Sequence, residues 1–204
     1  MSALSDLVYG KGEKPWPHFT DKYPVKVNQI TGMCEAVQIN GSSLNDQLER
    51  DIRDAGYGSK LTTAKCYRTR WNMHETSNAF ALLGQGAISV AKRFYTDEYD
   101  ENGNRKDYNL RVSESWGLIY GIDNSTGVHQ HWPSLWSYTY CVKGCKDCSP
   151  LVFPTVVGED TYKVHPEVGQ LILFPGWVNH EVPRQKCDHE RIMVAGNIMW
   201  DDWK

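Results

Sequence analysis

A mostly β fold, a double-stranded β-helix (jelly roll) with flanking helices, is the architecture this sequence predicts. Three observations predict it. From Tyr108 onward, short β-rich runs follow one another (YNLRVSESWGLIYG, SLWSYTYCV, PLVFPTVV, DTYKV, GQLILFP, VNHEV, RIMVAGNI), punctuated by Gly, Pro and Asn at close spacing. Ahead of them the apolar residues keep a helical rhythm, so helices should buttress one face of the strands. No linker, repeat or low-complexity tract separates the halves. The 204 residues therefore read as one domain, with 1–107 an arm plus supporting helices and 108–204 the β core.

Along the chain, residues 1–25 contain Pro15, Pro17 and Pro24 and predict an extended arm lying over the body. Leu44 to Ala55 places Leu44, Leu48 and Ile52 four apart, the signature of an amphipathic helix. A second helix is expected from about Glu75 to Tyr95, with Gly84 and Gly86 as weak points. The polar segment DEYDENGNRKD carries a turn signal at Asn102–Gly103.

Composition narrows the function. Hydrophobic residues make up 40% and charged residues 23%, as in an ordinary soluble globular chain. A formal net charge of −3 supplies no electrostatic reason for a nucleic-acid partner. No apolar run approaches the ~20 residues that span a bilayer, and the first residues lack a secretory pattern. Six cysteines in such a chain read as reduced thiols or metal ligands before disulfides, which predicts a cytoplasmic protein. Eight Trp and eleven Tyr suit either a β-rich core or a ligand cleft.

The chemistry concentrates in three places. His129 and His131 stand in GVHQHWPS, where alternate residues of an extended segment point to one side and can offer two imidazoles to one ion. Read alone, such a pair is equally what two solvated loop histidines look like. His180, in FPGWVNHEV, ends another apolar run and is placed to complete a triad, which leaves metal positions open for cosubstrate and O₂. Arg191 follows, 11 residues on, at the head of RIMVAGNI. A buried guanidinium needs an anionic partner, and its planar fork suits a carboxylate. A metal triad with an arginine one strand later fits a dicarboxylate cosubstrate that chelates the metal.

In this order (H-x-H, P-x-S, a Tyr-bearing strand, G-x-L-x-L-F-P-x-W-x-x-H, then R-I opening a strand with Asn near its end) the sequence resembles the 2-oxoglutarate/Fe(II) dioxygenase superfamily. The match runs from about Ser113 to Ile198, is nearest to an uncharacterised branch, and is distantly similar to prolyl hydroxylases. The resemblance implies Fe(II) on His129, His131 and His180, with Arg191 holding the far carboxylate of 2-oxoglutarate. It implies Tyr140 as a second donor to that carboxylate, with Tyr138 not separable from it by sequence. Asn197 shares the parity of Arg191 and should face inward. The implied reaction is a hydroxylation, coupling decarboxylation of 2-oxoglutarate to succinate with oxidation by O₂ of an unidentified substrate, small molecule or peptide. Two departures stand out. Most of the superfamily has Asp or Glu where this chain has His131, so His131 either ligates the metal or stands behind it. Met193 occupies a place where many relatives have a Ser supporting the cosubstrate.

Cys145 and Cys148 form a C-x-x-C in one turn, and Cys187 and His189 lie in the turn before Arg191. Jelly-roll connectivity should bring these turns together, away from the metal mouth, where they form either a tetrahedral zinc site or, the simpler reading, free surface thiols or one adventitious disulfide. Cys34 and Cys66 suggest no role. His18, His74 and His165 read as solvated or hydrogen-bonded histidines. Trp132, Trp136 and Trp177 flank the proposed ligands and suit a pocket wall or plain core packing. Two rival functions fit the same residues: a cupin-like three-His dioxygenase without 2-oxoglutarate, for which Arg191 has no use, and a non-catalytic metal- or sugar-binding jelly roll.

Overall fold

The computed structural model describes residues 28–30, 38–39, 42–56, 62–93, 100–104, 109–157, 160–165 and 167–201. The expected arm over 1–25, with His18, and also Cys34 fall outside them. The first expected helix is α1 (Leu44–Asp54), capped by Ser43, whose Oγ accepts from the Asp46 N–H, with Leu44, Leu48 and Ile52 fully buried. The second arrives divided, as α2 (Met73–Thr76) and α3 (Asn78–Lys92). Ser77 is extended at the break. Its Oγ accepts from the Phe80 N–H, which starts α3, and donates to the Asp51 carboxylate on α1. A polar side chain that can satisfy an orphan helix N–H makes the interruption stable. Gly84 is no weak point: a Cβ there would lie 2.7 Å from Val112 Cγ2, so its bareness lets α3 seat on the sheet. The Asn102–Gly103 turn forms, with Gly103 at φ +77°.

The strands build two antiparallel sheets. The larger, in order β1-β11-β8-β13-β6-β5, contains β1 (Asn28–Ile30), β11 (Leu171–Pro175), β8 (Trp136–Lys143), β13 (Arg191–Trp200), β6 (Leu110–Tyr120) and β5 (Tyr67–Arg68). The smaller, in order β10-β9-β12-β7-β4, contains β10 (Asp160–Val164), β9 (Leu151–Val157), β12 (His180–Val182), β7 (Ser125–His129) and β4 (Ala64–Lys65). A short ribbon pairs β2 (Gln38–Ile39) with β3 (Ser42–Ser43). This is the mostly β, helix-buttressed jelly roll that the sequence predicts.

Two apolar layers hold it together. On the outer face of the larger sheet, Tyr138, Tyr140, Val142, Ile192, Val194 and Ile198 meet the buried faces of the helices. Between the sheets, Trp116, Leu118, Tyr120, Cys141, Phe153, Phe174, Met193 and Ala195 form the second core. Because both faces of β8 and β13 are covered, neither strand shows a polar side. Parity nevertheless fixes which residues look inward, and Arg191 and Asn197 share the inner face of β13 with Met193 and Ala195.

Candidate active site

The inward residues of both sheets converge on one opening, whose empty space is ≈ 580 Å³ with the open solvent at its mouth included. At its mouth β7 and β12 pair so that His129 stands opposite His180. His131 lies just beyond β7, its N–H donating to Gly176 O at 2.7 Å. One nitrogen from each of the three imidazoles lies within 4.8 Å of the others. The His129 and His180 rings are each steered the same way: Nδ1 lies 2.8 Å from Gly127 O in one case and 2.9 Å from Val178 O in the other. A carbonyl can only accept, so Nδ1 carries the proton and Nε2 keeps its lone pair for a metal. His131 is placed differently. Its Nδ1 is 3.5 Å from Asn197 Nδ2, and Asn197 is itself held by Ser137 Oγ (2.9 Å) and Glu114 Oε2 (2.9 Å). Asn197 therefore faces inward as expected, backing the third imidazole.

Burial holds all three histidines below the ordinary imidazole value of 6.5, to about 4 for His131 and about 3 for His180, with mutual repulsion adding at those two. They are neutral near pH 7, the form that ligates metal. The same shifts predict how the metal-free protein responds to acid. With folded values depressed, the unfolded chain takes up protons first, so this stability is complete above about pH 6.5 and lost as pH falls toward the folded values. In chelator, the Tm of the wild type should drop between pH 7 and 5 more steeply than that of a His180→Ala variant. Equal slopes would mean that these histidines do not carry the effect.

Deeper in the barrel the site changes character. Three residues along β7 from His129, about 10 Å at ~3.3 Å per residue, Thr126 Oγ1 shares a 2.6 Å hydrogen bond with Tyr120 Oη. Beyond it Tyr120 is paired across the sheet with Arg191, whose Cζ lies 5.2 Å from the centre of the tyrosine ring. Arg191 is only 2% exposed, and among the described residues its Nε and Nη1 have no hydrogen-bond partner. The groups that act electrostatically on it are Tyr120, Cys141, Cys148 and Cys66, none of them a carboxylate. A buried guanidinium with two orphaned donors is costly unless an anion joins it. Tyr120 and Thr126 line the opening below the three imidazoles, and Arg191 lies behind Tyr120 rather than in the lining itself. Burial keeps the Tyr120 phenol protonated, hence a donor.

Tyr140 does not belong to this site, and its expected contact with the cosubstrate carboxylate is corrected here. It stands on the outer face of β8, where its Oη donates to Asn45 Oδ1 of α1 at 2.8 Å. Tyr138 shares that face and donates to Ser115 Oγ at 3.0 Å. The inward positions of β8 are Ser137, Thr139 and Cys141. Sequence reasoning passed over Tyr120 and Thr126. Tyr120 has the parity of Trp116 and Leu118 in the quoted run SESWGLIY, but only the β13–β6 register sets it beside Arg191. The mouth is walled by Trp71 and Trp116, in edge contact at 4.4 Å, with Arg68 stacked 3.7 Å over Trp71. Trp132 is exposed and Trp136 packs on the helical side, while Trp177 borders the inner core.

At the opposite end of β8 and β13 the two cysteine turns meet, and Cys145, Cys148 and Cys187 bring their sulfurs within 4.8 Å of one another. Cys66 lies buried near Tyr120.

Comparison with known proteins agrees with this geometry. A family model described as "Putative 2OG-Fe(II) oxygenase" matches residues 154–197, the stretch holding His180 and Arg191. No curated protein sequence matches the chain. Among solved structures it is similar to HygX from Streptomyces hygroscopicus, crystallised with nickel, 2-oxoglutarate and hygromycin B (TM-score 0.63, 11% identity, 89% of this chain and 85% of that one). A prolyl-4-hydroxylase from Pseudomonas putida (TM-score 0.62, 14% identity, 86% and 93%) shares the fold. So does the viral collagen prolyl hydroxylase of Paramecium Bursaria Chlorella virus-1, in its 2-oxoglutarate complex (TM-score 0.57, 14% identity, 84% and 94%). In residues 154–197 by family match, and over most of its length by fold, the chain is similar to 2-oxoglutarate/Fe(II) oxygenases, among them structures solved with a metal and 2-oxoglutarate bound.

Proposed function

We propose that the chain is a hydroxylase in which His129, His131 and His180 hold Fe(II) and Arg191 receives the distal carboxylate of 2-oxoglutarate. The observation that carries this reading is the buried, half-orphaned Arg191 below a mouth of three neutral imidazoles. Fe(II) with 2-oxoglutarate and O₂ would supply an oxidative decarboxylation to succinate and CO₂, in which one oxygen atom of O₂ enters succinate and the other oxidises a substrate C–H bond. The chain's own residues do the rest. His129 and His180 keep their Nδ1 protons on backbone carbonyls and so hold their rings fixed. Arg191 supplies charge and the Tyr120–Thr126 pair supplies hydroxyl donors at the barrel floor. Phe174 and Leu151 line the passage between and keep water out. A neutral His131, where a carboxylate is usual in the superfamily, leaves the centre one charge more positive and favours anionic ligands.

The substrate would enter between Trp71, Trp116 and Arg68 at the mouth. Either a peptide or a small molecule fits that opening. HygX was solved with hygromycin B bound, and a Trichoplax adhaerens prolyl hydroxylase of the same fold was solved with a peptide fragment. Among the described residues five cysteines form no disulfide, which is consistent with a cytoplasmic setting. Among the described residues no helix is long and apolar enough to cross a membrane.

An anaerobic absorbance titration tests the assignment. Fe(II) and 2-oxoglutarate together should give a weak metal-to-ligand charge-transfer band. Iron binding without that band would favour the cupin-like reading, and no iron binding would favour a non-catalytic role. Two tyrosine variants refine it. Tyr120→Phe removes a donor beside the carboxylate and should weaken 2-oxoglutarate binding by roughly 3- to 15-fold, the worth of one hydrogen bond. Tyr140→Phe should leave that affinity unchanged and lower Tm, because its partner is Asn45 of α1. The opposite pattern would return Tyr140 to the site.

A further inference from the structure

We propose that Cys145, Cys148, Cys187 and His189 form a structural zinc site at the end of the barrel remote from the histidine triad. The sulfur separations are 3.6 Å for Cys145–Cys148, 3.9 Å for Cys145–Cys187 and 3.5 Å for Cys148–Cys187. Tetrahedral zinc with Zn–S bonds of about 2.3 Å requires S···S edges of about 3.8 Å. All three edges match that figure, and all three far exceed the roughly 2.05 Å of a disulfide. His189 Nδ1 lies 3.6 Å from Cys145 Sγ, close to the S···N edge of about 3.6 Å that a Cys₃His shell has, but it stands outside the group of three sulfurs that lie within 4.8 Å of one another, so the imidazole must swing inward to complete the shell. Nδ1 also lies 3.4 Å from Asp188 Oδ1, so ligation turns this nitrogen from its neighbour's carboxylate to the ion.

The backbone is already folded for the purpose. The Cys145 N–H donates to Cys148 Sγ at 3.3 Å and the Cys148 N–H donates to Cys145 O at 3.1 Å, which closes the C-x-x-C turn around a sulfur. An N–H donated to a thiolate stabilises its charge. The ligands come from two connections, the β8–β9 turn and the β12–β13 turn, and are 39 or more residues apart across them, a long closure for a metal to cross-link. This is not the triad's metal. Across the sheet Ile198 pairs with Trp136 at one end of β8, next to the triad, whereas Ile192 pairs with Lys143 at the other, next to the cysteines. The zinc would sit directly behind the proposed anchor: a Cβ on Gly144 would lie 3.9 Å from Cys148 Sγ and 4.0 Å from Arg191 Cγ. Its chemistry is structural, since four protein ligands leave no open position.

The test uses the full chain, purified under reductant without chelator. Because the triad can also take up zinc, metal is counted in a His129→Ala/His180→Ala protein. Stoichiometric zinc is expected there, and Co(II) in its place should give the intense thiolate charge-transfer and tetrahedral d–d bands of a sulfur-rich site. Titrating the thiols with a mercurial should release the zinc in step with loss of three cysteines, a readout that needs no cysteine variant to fold. Cys145→Ser should lose the zinc, and His189→Ala should hold it more weakly and shift the cobalt bands. Absence of zinc and of thiolate bands, or a disulfide joining two of these cysteines in reduced protein, would overturn the site. Unchanged zinc affinity in His189→Ala would overturn the imidazole ligand. None of these outcomes depends on oxygenase activity.

Discussion

Arg191→Ala should weaken 2-oxoglutarate binding by roughly 30- to 1,000-fold while iron content stays near wild type. The range follows from about 2–4 kcal/mol for a charge-assisted, bidentate contact in a dry pocket, at about 1.4 kcal/mol per tenfold. The structure sharpens the reason. Arg191 is buried with Nε and Nη1 unsatisfied, so in the free protein these donors are already desolvated. A carboxylate arriving there meets a cation whose desolvation occurred on folding, which raises the net gain on binding. The same fact predicts that Arg191→Met, which fills much of the space without the charge, should be at least as stable as wild type, since it removes an uncompensated buried cation. Arg191→Lys should bind 2-oxoglutarate with intermediate affinity, keeping charge but losing the fork. Isothermal titration with Fe(II) replaced by a redox-inert ion, alongside metal analysis, separates the two effects. Undiminished 2-oxoglutarate affinity in Arg191→Ala would defeat the cosubstrate assignment, and loss of iron in that variant would mean the residue acts on the metal centre.

How far the sequence reaches can be seen strand by strand. The four-residue rhythm of Leu44, Leu48 and Ile52 announces α1 because one face of that helix is buried and the other is charged. His129, His131, His180 and Arg191 are legible because spacing and parity along extended segments decide where they point. On β8 the same logic fails. Helices cover the outer face of the larger sheet and the second sheet covers its inner face, so Tyr138 and Tyr140 are as buried as the residues lining the cavity. Nothing in the run WSYTYCVK says which set looks inward, and the inward set, Ser137, Thr139 and Cys141, is the smaller one. Tyr120 is hidden for another reason: its meeting with Arg191 is set by strand register across 71 residues, which no local pattern encodes. The break at Ser77 is a capping decision, won by one hydroxyl over an otherwise continuous helical rhythm. The cysteine turns lie between these cases. Their convergence follows from connectivity, but the sulfur spacing that distinguishes a zinc tetrahedron from loose thiols is visible only in three dimensions.

Removing any one of His129, His131 and His180 should cost the protein most of its iron, with affinity falling by more than the 10- to 100-fold that altering a supporting residue behind a metal ligand brings. The fold should survive. These rings are buried neutral and depress one another's protonation, so the metal-free protein gains little stability from holding them together. His131 is the decisive member. His129 and His180 face each other across paired strands with Nδ1 fixed on carbonyls, and two ligands of that kind would persist if the third were only a neighbour. His131 is held instead by its own backbone on Gly176 and by the amide of Asn197, with Ser137 and Glu114 behind it. An amide N–H can only donate, so this contact leaves the lone pair on Nδ1 and the proton on Nε2, the reverse of His129 and His180, and His131 must change tautomer to ligate through Nε2. Because its ring lies within ligand distance of the other two, His131→Ala should lose iron as fully as His129→Ala, whereas His131→Asp, which places an oxygen ligand at the mouth, should retain it. Asn197→Ala should weaken iron by a smaller factor than either. Iron per chain after gel filtration, read beside circular dichroism to confirm folding, checks the series. A folded His131→Ala protein with full iron and intact 2-oxoglutarate turnover would show that the metal rests on His129 and His180 alone.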